Sequence, residues 1–333
     1  MKANNPYLSV VLVGRNDNYG GDFKSRLQNC ITNLSDQLNR FKVYSEIIFV
    51  NYNFLPEPNI AQFIEWANST QFVKIRIIDV PNELHQKFVS ENQVKDVPVI
   101  EYLAKNIGVR RSNGEFILCM NPDILLTDKI VQYIAKKKLK KDFFYRANRI
   151  DFDEVNDKKK LICIHLKGTT FPIKTYNSGI KKWIDFKNFF IKFYHKNTVR
   201  LERLFNVLRI PVIYDNAEYY YHCKVSGDFM LVSKEVFMQT QSYYETAPIA
   251  LHIDSLFVIQ VASTGVKEYI FGSPIYHREH ERRYSSERKN EIEDNAYKFF
   301  QREAQQMLKA KKKKLYNPEN WGLKEIELHE QIC

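Results

Sequence analysis

No apolar stretch in this 333-residue chain approaches the roughly 20 residues that a membrane-crossing helix requires. Met1 to Tyr7 is polar, and the apolar run behind it is too short for a secretory leader, so a cytoplasmic chain is expected. Cysteine is sparse and scattered. Cys30, Cys119, Cys163, Cys223 and Cys333 form no C-x-x-C pair, which argues against a zinc site and for a reducing compartment. No G-x-G-x-x-G follows the first expected strand and no G-x-x-x-x-G-K-[ST] occurs, which argues against a dinucleotide fold and a P-loop. The G-x-S-x-G elbow of hydrolases is missing as well. Zinc-finger, ribonucleoprotein and basic-zipper motifs are absent, so nucleic acid is not the expected partner. There is no internal repeat.

What is present is charge and aromatic mass. Aromatic residues make up 14% and hydrophobic residues 44% of the chain, the composition of an ordered globular protein. The net charge of +11 gathers in runs at Lys136–Lys138, Lys158–Lys160 and Lys311–Lys314. It suits an anionic partner, either a nucleoside diphosphate or an anionic membrane surface.

The first half alternates strand and helix patterns. Leu8–Val13, Glu46–Val50, Val73–Val80 and Phe116–Met120 read as buried strands. Between them, Phe23, Leu27, Ile31, Leu34 and Leu38 fall at helical spacing, a short helix is expected through Ile60, Phe63, Ile64 and Ala67, and another over Val97–Ile107. Strands separated by helices imply a mostly parallel sheet with right-handed crossovers. The expected organisation is an α/β domain over 1–280, with a nucleotide-binding half at 1–125, an aromatic-basic insertion at 142–224 and an acceptor side at 225–280. A helical extension follows at 281–333. Within the insertion, Lys181–Phe193 places Trp183, Phe186, Phe190 and Phe193 on one helical face amid lysines, a pattern that serves either a core or the inner face of a membrane.

The last strand of the first half ends at Asn121-Pro122-Asp123. A carboxylate at the carboxyl end of a buried strand stands where such sheets bind ligands, and it can hold a divalent cation that in turn holds a diphosphate. An Asp in that position can also simply cap the turn.

Lys105-Asn106-Ile107-Gly108, then Ser112-Asn113-Gly114-Glu115-Phe116-Ile117-Leu118, then Asp123, resembles the GT-A glycosyltransferases, especially those similar to family 2. The likeness continues at Ser226-Gly227-Asp228, at His252-Ile253-Asp254 and at Pro274-Ile275-Tyr276-His277-Arg278-Glu279-His280. It implies a GT-A-like (Rossmann-like) sheet flanked by helices, a nucleotide-sugar donor and a glycan or lipid-linked acceptor.

Residue by residue, the resemblance implies Asp123 as cation ligand, Mn²⁺ or Mg²⁺, helped by His277 or His280. Asn121 stands where the family's D-x-D has its first carboxylate and would be a weaker oxygen donor. Asp254 would be the general base of an inverting transfer, or else a helix N-cap, and Asp228 would contact donor sugar or acceptor, or else serve the turn. Arg15, Asn16, Asn51, Asn106, Arg110, Arg111 and Arg278 would hold the nucleotide. With the first carboxylate missing, Arg278, Arg282 and Arg283 could replace the metal. A retaining transferase on the same fold, or a binder of sugar nucleotides or glycans without catalysis, are the alternatives.

Overall fold

A computed structural model describes residues 5–66, 70–154, 162–166, 169–175, 221–223, 225–247, 250–280 and 286–333. The aromatic-basic helix expected over 181–193 lies outside the described residues.

The strands are β1 (Leu8–Gly14), β2 (Ser45–Tyr52), β3 (Val73–Val80), β4 (Phe116–Cys119), β5 (Ile124–Leu125), β6 (Phe143–Arg146), β7 (Arg149–Glu154), β8 (Ile162–Leu166), β9 (Thr169–Thr175), β10 (Met230–Ser233), β11 (Lys267–Ile270), β12 (Ile275–Arg278) and β13 (Glu330–Ile332). The helices are α1 (Phe23–Arg40), α2 (Ile60–Phe63), α3 (Asn82–Asn92), α4 (Glu101–Arg111), α5 (Asp128–Ala135), α6 (Lys234–Thr240), α7 (Ile253–Ala262) and α8 (Ser286–Ala310).

Eight strands build the central sheet in the order β11-β6-β10-β4-β1-β2-β3-β13. Six run parallel; β10 and β13 are antiparallel to their neighbours. The mostly parallel α/β architecture expected from the sequence is therefore present. The chain leaves β1 toward β2 and β3 on one side and returns to place β4 on the other, so the order reverses between β1 and β4. In open sheets of this kind the crevice at the carboxyl ends beside such a reversal is where ligands bind.

β1 and β2 are buried at every position, as strands covered on both faces must be. Successive residues of β1 feed opposite layers: Val10 and Leu12 pack with α1 residues Leu27 and Ile31, while Val11 packs with the α7 residues Leu256 and Phe257. Helix α4 lies close against β1 because residue 108 is glycine. A Cβ there would stand 2.5 Å from Val11 Cγ1.

Several boundaries differ from expectation. The helix expected from Val97 begins at Glu101, because Pro98 disfavours helical backbone at the residue before it. Helix α3, which the sequence pattern did not announce, precedes it, with only His85 and Phe88 buried. Among the described residues of the stretch expected as an insertion, 142–224, β6 is an inner strand of the central sheet, and β7, β8 and β9 join β5 and β12 in a second, five-stranded sheet. The extension expected over 281–333 is helical only to Ala310; its end returns to pair β13 with β3. Among the described residues no helix is long and apolar enough to cross a membrane.

Candidate functional site

The site gathers at the carboxyl ends of β1 and β4, where the second sheet and α4 close over them. Asp123 is the centre. Its side chain is 7% exposed, and its Oδ2 accepts from Arg26 Nη1 at 3.1 Å. His280 Nε2 lies 3.3 Å and His277 Nε2 3.7 Å from the same oxygen. Burial alone would lift the Asp123 carboxyl, but hydrogen bonding from His280 and the charges of His277, His280 and Arg26 outweigh it and hold the group below its ordinary value. The other oxygen, Oδ1, is buried and has no hydrogen-bond partner.

Asp123, His277 and His280 bring their ligand atoms within 4.8 Å of one another. A carboxylate with one buried oxygen orphaned and two imidazoles close to the other fits a divalent cation, because a buried acceptor without a donor is otherwise costly. His277 is oriented from behind: its Nδ1 donates to Asp151 Oδ1 at 2.9 Å, which turns Nε2 toward Asp123.

From Asp151 a chain of alternating charge crosses the site. Arg149 joins Asp151 Oδ1 at 2.8 Å and donates through Nη1 to Asp228 Oδ2 at 2.7 Å. Residues 149 and 151 share one face of β7, as alternate positions of a strand do. Asp228 Oδ1 accepts from Asn121 Nδ2 at 2.8 Å, and Asn121 Oδ1 accepts from Lys105 Nζ at 3.0 Å. This fixes the Asn121 amide, since the flipped form would set oxygen against carboxylate and nitrogen against ammonium. The oxygen expected to assist the cation is thus engaged by Lys105.

Lys105 is fully buried and also donates to Glu101 Oε1 at 2.6 Å and to the Gly227 carbonyl at 2.8 Å. Burial would lower its pKa, but the charge and hydrogen bond of Glu101 prevail and raise it. Asp228 is pushed up by its burial despite the opposing charge of Arg149.

Asp254 opens α7, and its Oδ2 accepts from Ser226 Oγ at 2.8 Å and Gly227 N at 2.6 Å. These bonds orient the carboxylate and tie it to the same turn that carries Asp228. Gly227 is hemmed in by Asp254, Glu101 and Lys105, so the turn joins α4 to α7.

The loops after β1, β2 and β3 form the other wall. Arg15 Nε donates to the Asn53 carbonyl at 2.6 Å, and Asn16 Nδ2 to the carbonyls of Leu55 and Pro58. Asn51 Nδ2 donates to Asp79 Oδ1 at 2.8 Å, while its Oδ1 is buried without a donor. Arg278 donates to Ser25 Oγ and Asp22 Oδ2, bridging β12 to the start of α1.

Three expected nucleotide contacts are engaged elsewhere. Asn106 donates to the Tyr243 carbonyl and Glu245 Oε1. Arg110 donates to the carbonyls of Glu319 and Trp321, and Arg111 to those of Gly322, Leu323 and Ile326. Each serves to hold the loop after α6 or the carboxyl-terminal segment, because the final turns of α4 face that segment rather than the switch point.

The structure adds Arg26, Glu101, Lys105, Arg149 and Asp151 to the residues read from the sequence. Arg26 lies three residues after Phe23 on the apolar face of α1, a placement that helical spacing alone could have flagged. The others draw significance only from the fold.

No protein-family model matches the chain, and no curated protein matches it. Among solved structures the chain is similar to S. aureus TarS. A structure of TarS residues 1–349 superposes with a TM-score of 0.48 at 10% identity, covering 89% of this chain and 64% of that one. Another TarS structure superposes with a TM-score of 0.42 at 9% identity, covering 87% and 38%. The chain thus spans under two thirds of the length of either structure, and likeness at this level carries no activity across.

Proposed function

We propose that the chain is a glycosyltransferase that moves a sugar from a nucleotide-sugar donor to a glycan or lipid-linked glycan acceptor. The observation that carries this reading is the buried Asp123 carboxylate at the β1/β4 reversal, with one oxygen orphaned and the other close to His277 and His280. Asp123, His277 and His280 would hold Mn²⁺ or Mg²⁺, which when bound supplies positive charge to a leaving diphosphate.

The chain's own residues do the rest. Arg15 and Asn16 fasten the loop after β2 to the loop after β1, and Asn51 joins the ends of β2 and β3, making a wall against which a nucleoside can lie. The buried acceptor Asn51 Oδ1 suits a hydroxyl or ring N–H of that nucleoside. Asp228, fixed by Asn121 and Arg149, is placed to accept from a sugar hydroxyl. Asp254 takes the proton of the acceptor hydroxyl as that oxygen attacks the anomeric carbon, in an inverting displacement. Its orientation by Ser226 and Gly227 is what a base needs to be held in one pose.

Calorimetric titration of nucleoside diphosphates, with and without Mn²⁺, tests the reading. Expected is cation-dependent binding of one nucleotide, lost in Asp123→Ala, and sugar transfer that Asp254→Asn abolishes while donor binding persists. Donor binding without transfer in the unaltered chain would leave a sugar-nucleotide binder. Absence of binding to every nucleotide would overturn the proposal.

A further inference from the structure

At the pole opposite the candidate site, the sheet carries a recess of about 1150 Å³. Its lining comes from the amino ends of the parallel strands: Tyr7 directly precedes β1, Tyr44 precedes β2, Phe72 precedes β3 and Glu115 precedes β4. Lys234 and Glu235 enter from the first turn of α6, which follows the antiparallel strand β10. Lys42, Lys137 and Lys141 complete the charged lining.

Three features of the lining bear on what would fill it. Tyr44 is 45% exposed and Met238 36%, two of the few large apolar side chains open to solvent among the described residues. Lys137 Nζ lies 5.8 Å from the centre of the Tyr7 ring, and Lys136, Lys138 and Lys140 are exposed next to it in sequence. Positive charge is interrupted by carboxylates, with Glu235 2.7 Å from Lys141 Nζ.

The geometry points to a second binding site, for a chain of an acidic polysaccharide. Sugar rings lie flat on exposed aromatic faces, and lysines meet their anionic substituents. The carboxylates bear on which polyanion fits: Glu115 and Glu235 can accept hydrogen bonds from the free hydroxyls that every sugar of an acidic polysaccharide offers, which polyphosphate lacks and a nucleic acid offers at most once per nucleotide. A recess also receives a chain more readily than a flat membrane. The Lys136–Lys138 run, which the candidate site does not use, borders this pole. The site stands apart from the proposed transfer reaction, because polymer binding here requires no nucleotide and no cation.

Polygalacturonate is the probe, titrated at low ionic strength against the full chain, with neutral dextran, poly-uridylate, polyphosphate and phosphatidylglycerol vesicles as comparisons. Expected is polygalacturonate binding that weakens as salt rises, with dextran far weaker. The double variant Lys42→Glu/Lys137→Glu and the single variant Tyr44→Ser should each lose at least about tenfold, in keeping with surface residues that make up the contact itself. Their melting temperatures, and nucleotide binding at the other pole, should stay unchanged. The inference is overturned if polygalacturonate does not bind or if both variants bind it as the parent does. It is overturned equally if poly-uridylate, polyphosphate or vesicles bind as tightly.

Discussion

Arg26→Met should strengthen cation binding while weakening the fold. In the parent chain the Arg26 guanidinium holds Asp123 Oδ2 at 3.1 Å, with the two side chains only 2% and 7% exposed. A divalent ion on the free oxygen would lie about 5 Å from that guanidinium, where repulsion amounts to about 1.7 kcal/mol even with the dielectric of water and about four times more at an effective value near 20. Removing the positive charge should therefore raise cation affinity by at least about tenfold. The same change leaves the buried carboxylate with only the two imidazoles beside it, which costs at most about 3–5 kcal/mol in the cation-free protein. It also removes the bonds from Arg26 to the carbonyls of Tyr19 and Gly21.

Calorimetry with Mn²⁺ reads the affinity, and thermal unfolding with and without Mn²⁺ reads the linkage. The variant should melt lower without the ion and gain more from it, about 2.7 kcal/mol at a hundredfold excess over its own dissociation constant against about 1.4 kcal/mol for a parent that binds tenfold more weakly. Arg26→Lys keeps the charge and should stay near the parent in affinity. A folded Arg26→Met protein that binds Mn²⁺ no more tightly than the parent would refute the assignment of Asp123 as the ligand shared between them.

Two further expectations concern buried charge away from the site. Arg76 donates to Glu46 Oε2 at 2.8 Å and, through Nε and Nη2, to both oxygens of Glu330, joining β2, β3 and β13. Arg76→Met should cost about 3–5 kcal/mol by urea unfolding. Burial would raise the Glu46 carboxyl, but bonds from Ser9, the Asn113 N–H and Arg76 hold it below its ordinary 4.5. Its stabilisation is thus present above that value and lost as pH falls through the folded pKa, and the variant should lose the part of this acid sensitivity that Arg76 supplies. Glu245 has the opposite sign: burial lifts its carboxyl to about 7 although Asn106 and the Gly322 N–H donate to it. Its contribution is full below 4.5 and disappears as pH rises past about 7, so Glu245→Gln should be more stable than the parent at pH 8, by at most about 3 kcal/mol, and should converge with it at pH 4.

The parallel sheet was legible because both of its faces are buried, which leaves uninterrupted apolar runs such as Leu8–Val13 with polar ends. The end of α8 was not, since Ala310 is followed by lysines that suit a helix terminus but do not say where the chain goes next. That it returns to β3 depends on Arg76 meeting Glu330, residues 254 apart, a distance no local pattern spans. In the site, Asp123, His277 and Asp254 were readable as carboxylates and imidazole at strand or helix ends. Lys105 was not, although it is adjacent to Asn106: a helix with nearly every residue buried has no apolar face to mark which side chain points where. Nor was the direction in which α4 ends, which sets Arg110 and Arg111 against the carboxyl-terminal segment.

Asn121 is where sequence and structure bear on each other most closely, because the missing carboxylate has a cause in the charges around it. Its amide lies between the Lys105 ammonium and the Asp228 carboxylate, accepting from the first and donating to the second. Asn121→Asp keeps the oxygen facing Lys105 but sets a second oxygen where the amide nitrogen now stands, 2.8 Å from Asp228 Oδ1. Two carboxylates at that separation do not both ionise, so the pair should retain one proton near neutral pH and titrate as a unit. Asp228 is already raised by burial, which adds to the effect. A raised folded-state pKa gives stability at low pH that disappears as pH rises. The variant should therefore match the parent only below about pH 4, the ordinary range of an Asp, and fall below it by about 2–4 kcal/mol at pH 8. Infrared spectroscopy should show one protonated carboxyl more than in the parent at pH 7, where Glu245 already supplies part of the band. Cation affinity should change little, since the new carboxylate is held between Lys105 and Asp228 and not against Asp123. If the variant instead binds Mn²⁺ tenfold more tightly and shows no pH-dependent loss, the side chain has turned to the cation, and the charge chain does not fix position 121.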